Sequence, residues 1–254
     1  MKIGVVGVGY VGLPLAVAFC EAGHEVVGVD TDPRLAEALS AGRSHVEDVS
    51  DESLRAIGSR LRVTTRYADL AKVDAIIVAV PTPLTRNREP DLQPLIAAGT
   101  ALAGVLQQGQ LVVLESTTYP GTTRDQFVPL LEESGLAAGR DFHAAFSPER
   151  VDPGRTDYTL RNTPKVVGGL TDECRARAVA LYREVCDEIV EVSTPEAAEL
   201  TKLLENVFRS VNIALVNELA ILCDRMGIDV WEVTDAAATK PYGFMSFKPG
   251  PGMG

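Results

Sequence analysis

The first thirty residues constrain the fold more than any other stretch of this chain. Met1-Lys2-Ile3-Gly4-Val5-Val6 reads as a short apolar strand, Gly7-Val8-Gly9-Tyr10-Val11-Gly12 follows without a gap, and Leu13 to Ala22 has the apolar spacing of a helix. Gly23 ends that helix, and a second strand, Glu25 to Val29, stops at Asp30. Strand, glycine turn, helix, strand and acid in this order describe a βαβ unit whose turn can hold a pyrophosphate. Gly7 permits the tight turn, Gly9 lets backbone N–H groups approach the phosphates, and Gly12 lets the helix pack closely with its positive end toward them. Asp30 is placed to accept both ribose hydroxyls of the adenosine, and a carboxylate there favours NAD because it repels a 2′-phosphate.

The same alternation continues. Asp32-Pro33 opens a helix to Ala41, a polar segment covers Asp48 to Arg60, and Leu61 to Thr64 is a weak strand. Ala75 to Val80 and Leu111 to Leu114 are uninterrupted apolar runs, as in strands covered on both faces of a parallel sheet. Phe142 to Phe146, Lys165 to Gly168 and Ile189 to Val192 are further strands, and helices are expected over Leu92–Leu106, Gly121–Glu133 and Asp172–Cys186. Strands alternating with helices imply an α/β, doubly wound sheet with right-handed crossovers, in a domain spanning residues 1–193. Three strand exits carry polar groups to the edge where Gly7 to Gly12 would hold a cofactor: Pro81-Thr82-Pro83, Glu115-Ser116-Thr117-Thr118 and Ser147-Pro148-Glu149-Arg150. Thr82 is a candidate cofactor contact, although a strand-terminating turn accounts for its flanking prolines equally well.

Composition changes at Ser193-Thr194-Pro195-Glu196, a strong helix start, and no breaker follows until Gly227. The helix so defined is long, and its apolar residues cover most of the circumference, so burial between domains or subunits is expected in this second, helical region, 194–254. Lys202 and Asn206 share one of its faces. A desolvated lysine can serve as a base or as a cation beside a developing alkoxide, with a buried structural ion pair as the competing account.

A formal net charge of −11 argues against a nucleic-acid partner. No continuous apolar run approaches the roughly 18 residues of a membrane span, and the chain begins on a core strand, so neither a span nor a signal peptide is expected and the protein is placed in the cytoplasm. Cys20, Cys174, Cys186 and Cys223 form no CxxC pair, and His24, His45 and His143 are equally scattered. No metal site is visible.

Taken with the long helix, these motifs resemble the nucleotide-sugar 6-dehydrogenases, the UDP-glucose/GDP-mannose dehydrogenase family, along the whole chain. The matching segments are Gly7 to Gly12, Val80 to Pro83, Glu115-Ser116-Thr117, Ser147-Pro148-Glu149, Lys202 with Asn206, Asn217-Glu218-Leu219 and Pro249-Gly250-Pro251-Gly252. Ser147 to Gly154 is most similar to the branch acting on UDP-N-acetylated hexosamines, such as UDP-N-acetylglucosamine and UDP-N-acetylmannosamine. The resemblance implies a Rossmann-like NAD-binding domain followed by a long helix that begins a central, dimerising domain. It also implies oxidation of the sugar C6 alcohol to a carboxylate with two NAD per sugar, as in polysaccharide biosynthesis.

By position, Lys202 and Asn206 would steady the oxyanion at C6, while Thr117 and Glu149 would organise water and its proton. Arg150, Val151, Lys202, Asn206, Arg209 and Gly254 would contact the UDP-sugar. Gly7, Gly9, Tyr10, Val11, Gly12, Asp30, Arg34, Thr82 and Thr117 would contact NAD. A homodimer through the helix 194–225 is also implied. In the family a cysteine nucleophile lies just beyond the Pro-Gly-Pro-Gly loop, and none of the four cysteines here occupies that place. The chain is therefore expected to be the amino-terminal part of such an enzyme, binding NAD without completing the reaction. A β-hydroxyacid dehydrogenase, which needs no cysteine, and a non-catalytic NAD-binding or dimerising module are the alternative readings.

Overall fold

The computed structural model describes residues 1–151 and 157–252. Eight strands make one sheet: β1 (Lys2–Val6), β2 (Glu25–Val29), β3 (Leu61–Thr64), β4 (Ala75–Val78), β5 (Leu111–Leu114), β6 (His143–Phe146), β7 (Lys165–Gly169) and β8 (Ile189–Val192), in the order β3-β2-β1-β4-β5-β6-β7-β8. Every residue of β4, β5 and β6 is buried, as the unbroken apolar runs of β4 and β5 require. Alternate residues feed two cores. Ile3, Val5, Ile77 and Val113 face one, beneath the helices α1 (Gly12–Glu21) and α6 (Asp172–Tyr182). Ile76, Val78, Val112 and Leu114 face the other, beneath α4 (Gln93–Ala103) and α5 (Val128–Glu132).

One pair of neighbouring strands breaks the parallel pattern of the sheet. Neighbours are parallel throughout except β6 and β7, which pair antiparallel, with Phe146 opposite Gly168. A parallel return needs a crossover, usually a helix, and none lies between Phe146 and Lys165 among the described residues. Other boundaries shift for local reasons. The strand expected to reach Val80 ends at Val78, and α6 stops at Tyr182 instead of Cys186. The segment Gly121–Glu133 begins as a π-helical turn, Thr122–Phe127, before α5, where Pro129 cannot donate to the i−4 carbonyl. The helices α2 (Pro33–Ser40) and α3 (Asp51–Ile57) lie between β2 and β3. The second of these was hidden in the polar segment because only Leu54 and Ile57 are buried, although Ser50 caps it by accepting from the Ser53 N–H at 3.1 Å.

The chain divides into two compact units, Met1–Leu200 and Thr201–Gly254. The long helix α7 (Pro195–Met226) starts at the predicted cap, where Thr194 Oγ1 accepts from the Ala197 N–H at 3.2 Å. Within the second unit, Ile213, Val216 and Cys223 are buried, and α8 (Val230–Ala238) opens on an Asp229 cap that sequence reading had not located. Asn217 clasps Gly250, its amide donating to the carbonyl and accepting from the N–H, each at 2.9 Å. Phe208 meets Phe247 edge to face at 5.7 Å. Part of the apolar surface of α7 is left uncovered by the described residues: Leu204, Val211 and Leu215 are 60–65% exposed. Among the described residues α7 is also the one helix long and apolar enough to cross a membrane by length and composition, with a mean hydropathy of 1.3 in its most apolar window.

Candidate cofactor and active site

Four strands end level on one edge of the sheet, because Val6, Val78, Leu114 and Phe146 are register partners across β1, β4, β5 and β6. Backbone bonds extend each exit by one residue: Gly7 donates to Val29 O at 2.8 Å, Ala79 to Val6 O at 2.8 Å, Glu115 to Val78 O at 2.8 Å and Ser147 to Leu114 O at 3.0 Å. The strand order reverses between β1 and β4, and ligands of open α/β sheets bind at such a crevice.

The three glycines of the turn have three different constraints. Gly7 has φ +87°, and a side chain there would strike Ala79 O at 2.6 Å. A Cβ on Gly12 would lie 1.8 Å from Gly7 O, so only glycine lets α1 start this close to β1. At Gly9 a Cβ would meet nothing within 4 Å. That open approach to the backbone N–H groups at the start of α1 suits a pyrophosphate, so these residues fit a dinucleotide. Asp30 completes the βαβ unit. Its Oδ2 accepts from the Val8 N–H at 3.1 Å and its Oδ1 from the Asp32 N–H at 3.0 Å, which fixes the carboxylate beside the turn.

Other expected cofactor residues are placed less uniformly. Tyr10 is 66% exposed, and Val11 is half-buried at the start of α1. The Arg34 guanidinium is turned onto Asp32, with Nη2 donating at 2.7 Å, and the pair holds Asp32 below the usual carboxylate range. Thr117 is exposed at the exit of β5. Thr82 Oγ1 is buried and makes no hydrogen bond within the described protein, as do Thr118 Oγ1 and Ser147 Oγ at the neighbouring exits. A buried hydroxyl without a partner costs about 1–3 kcal/mol, which a bound ligand's polar groups would recover.

Glu149 stands beyond β6 with both oxygens engaged. Its Oε1 accepts from the Arg150 and Val151 N–H groups at 2.7 and 2.6 Å, and its Oε2 lies 3.4 Å from Lys165 Nζ. Arg150 in turn donates through Nη1 to Pro164 O at 2.7 Å. Burial would raise the Glu149 carboxyl, but the Lys165 ammonium and the two backbone N–H groups outweigh it and hold the group below its ordinary value. Sequence reading missed Lys165, whose side chain is 3% exposed and also sits 3.2 Å from Glu115 Oε2. The Tyr182 hydroxyl donates to the other oxygen of Glu115, and the ammonium lies 5.2 Å from the Tyr182 ring centre. Burial raises the Glu115 carboxyl despite Lys165 and lifts the Tyr182 phenol well above its ordinary value. Glu115 belongs to the Glu115-Ser116-Thr117 exit, but nothing local marks Lys165, which reads as a strand residue.

Glu149 and Val151 join Tyr10, Val11, Pro14 and Tyr158 in lining a cavity of about 790 Å³ in the first unit. The structure therefore brings one end of the glycine turn and the Ser147-Pro148-Glu149 exit to the same space. Lys202, Asn206 and Arg209 lie on α7 in the second unit, where Asn206 Oδ1 accepts from Arg209 Nη2 at 3.1 Å. Gly254 and the segment Asp152-Pro153-Gly154 lie outside the described residues.

Residues 1–186 match the NAD binding domain of the UDP-glucose/GDP-mannose dehydrogenase family, and residues 196–254 match its central domain. The chain belongs to this family. It is 42% identical over 252 residues to the UDP-N-acetyl-D-glucosamine 6-dehydrogenase of Pseudomonas aeruginosa, a match covering 98% of this chain and 59% of that protein. Among solved structures, the UDP-D-ManNAc dehydrogenase of Pyrococcus horikoshii superimposes with a TM-score of 0.93 at 38% identity, covering 99% of this chain and 60% of that one. The UDP-N-acetyl-mannosamine dehydrogenase Cap5O of Staphylococcus aureus gives 0.90 at 33% identity, covering 99% and 61%. The chain thus spans about three fifths of the length of the family members it matches. Membership of the family makes NAD its cofactor, and the open turn at Gly9 with Asp30 beside it is where this fold would hold the dinucleotide.

Proposed function

We propose that this chain is the cofactor-binding and central part of an NAD-dependent nucleotide-sugar 6-dehydrogenase, acting on a UDP-N-acetylhexosamine in polysaccharide biosynthesis. Residues 1–193 form the NAD-binding domain, and 194–254 begin the central domain through which two copies pair. The observation that carries this reading is the carboxyl edge itself, where a turn open at Gly9 stands in line with the exits bearing Thr82, Thr117 and Glu149. The names of the relatives support the sugar class.

NAD, when bound, supplies the hydride acceptor. The N–H groups from Gly9 to Gly12 receive its pyrophosphate, Asp30 its adenosine ribose, and Thr82 and Thr117 contact it farther along the edge. Tyr10 and Val11 flank the turn, with Arg34 at its adenosine end. Arg150, Val151, Arg209 and Gly254 bind the sugar nucleotide. Lys202 and Asn206 donate hydrogen bonds to the oxygen at C6 as negative charge develops there, and Lys202 takes the alcohol proton. Glu149, held as an anion, accepts a proton from the attacking water, which Thr117 orients.

The thiol that carries the acyl group in this chemistry has no counterpart among the four cysteines. Cys20, Cys174, Cys186 and Cys223 are all buried, and burial pushes the Cys20 thiol up to about 12 and that of Cys186 to about 11. The test is calorimetric titration of the 254-residue chain with NAD, followed by an NAD-reduction assay with UDP-N-acetylglucosamine. Saturable NAD binding without steady-state formation of the sugar acid is expected. Absence of NAD binding overturns the cofactor assignment, and sustained acid production overturns the exclusion of these four thiols. A β-hydroxyacid dehydrogenase would reveal itself by turning over small hydroxy acids.

A further inference from the structure

The reversal of β7 has a chemical result. In a parallel sheet the first residue of a strand lies on the amino edge, away from the ligand. Because β7 runs antiparallel to β6, its first residue, Lys165, lies instead on the carboxyl edge beside Glu149. Burying an ammonium is costly unless it is paired and hydrogen-bonded, so its placement here calls for an explanation.

We infer that Lys165 is a positioning residue that holds the Glu149 carboxylate, as an anion and in one orientation, on the wall of the cavity. This rests on the reading of Glu149 as a proton acceptor in the active site. Lys165 is the more deeply buried of the pair and does not line the cavity: its side chain is 3% exposed, against 20% for that of Glu149. Glu115, at the exit of β5, anchors the ammonium from the rear at 3.2 Å, and Tyr182, on α6, closes the cluster by donating to Glu115.

Among the described residues, the charged and titratable groups near Glu149 come from several elements. Lys165 on β7 attracts it, Glu115 on β5 competes for the same ammonium, and the Tyr182 phenol and the Cys186 thiol behind α6 stay neutral. Arg150 is its chain neighbour, and Glu21, Glu47, Asp48, Arg161 and the phenols of Tyr10 and Tyr158 line the same cavity farther off. With two carboxylates and one ammonium in the buried cluster, the cation cannot neutralise both. Glu149 is the better served because its Oε1 already receives two backbone N–H groups.

The test uses the protein without cofactor or sugar, so its outcome is independent of whether the proposed reaction is correct. Side-chain carboxyl carbons are followed by NMR through a pH titration, with Glu149 assigned from the spectrum of Glu149→Gln. In the wild type Glu149 titrates below the ordinary glutamate range. In the double variant Lys165→Met/Glu115→Gln, which removes one charge of each sign and leaves no unpaired buried carboxylate at 115, the proton affinity of Glu149 should rise about tenfold or more. In Glu115→Gln alone, which frees the ammonium for Glu149, the affinity should stay the same or fall. An unchanged Glu149 titration in the folded double variant, or a rise in Glu115→Gln, overturns the inference.

Discussion

Alanine at Gly9 and alanine at Gly12 should separate cofactor binding from folding within four residues. At Gly12 the added methyl would stand 1.8 Å from Gly7 O, far inside any tolerable contact, so α1 must move off β1 or the turn must open. Overpacking of this kind costs about 1–3 kcal/mol or more, which lowers the melting temperature by roughly 2–12 °C in a domain of this size. At Gly9 the methyl meets nothing within 4 Å, and the residue is not among the glycines with positive φ. Gly9→Ala should therefore leave stability within about 0.5 kcal/mol, or raise it slightly by restricting the unfolded chain. The methyl does occupy the approach of a phosphate to the backbone. Loss of one charge-assisted hydrogen bond, about 1.5–3 kcal/mol, weakens NAD roughly tenfold to hundredfold. Scanning fluorimetry and calorimetric titration with NAD read the two quantities separately. Wild-type NAD affinity in Gly9→Ala would refute the route of the pyrophosphate over this turn.

Glu199, 1% exposed, accepts from the Gly121 N–H at 2.7 Å and from the Thr123 N–H and hydroxyl at 2.8 and 2.7 Å. Glu199→Ala should cost about 3 kcal/mol in urea unfolding, and Glu199→Gln, which keeps an acceptor, about a third of that. The Asp141 carboxyl is lowered from 3.8 to about 2 by Arg140 and by the Ala137 N–H. A depressed folded-state value contributes stability that is fully present above pH 3.8 and is lost as pH falls through about 2, so Asp141→Asn should lower the urea midpoint more at pH 5 than at pH 2. Equal losses at both pH values would remove Asp141 from the acid transition. Leu204, Val211 and Leu215 lie on one exposed face of α7, and an uncovered apolar face of this kind favours association. Sedimentation velocity should find the wild type dimeric and Val211→Glu monomeric; a monomeric wild type removes the proposed pairing.

Much of this was legible locally. The turn Gly7 to Gly12 is set by contacts within a few residues, and the closing acid Asp30 follows one helix and one strand later, so the motif could be read in chain order. The apolar runs of β4 and β5 declared their own burial because a strand covered on both faces has no polar side to show. The start of α7 was equally plain, since Thr194 caps it from the adjacent turn. In contrast α3 was lost, because two buried residues in seven make too weak a period.

Sequence alone determined the glycine turn, the order of the strands, and which strand exits carry polar groups, since each depends on sterics and periodicity over short distances. Only the tertiary structure decided that β7 turns back against β6. That reversal sets Lys165 between Glu115 and Glu149, residues 50 and 16 positions away, and no local pattern encodes it. The charge state of a buried group depends on what the fold brings within a few ångströms of it, so Glu149 could be nominated from its segment while its controlling partner could not.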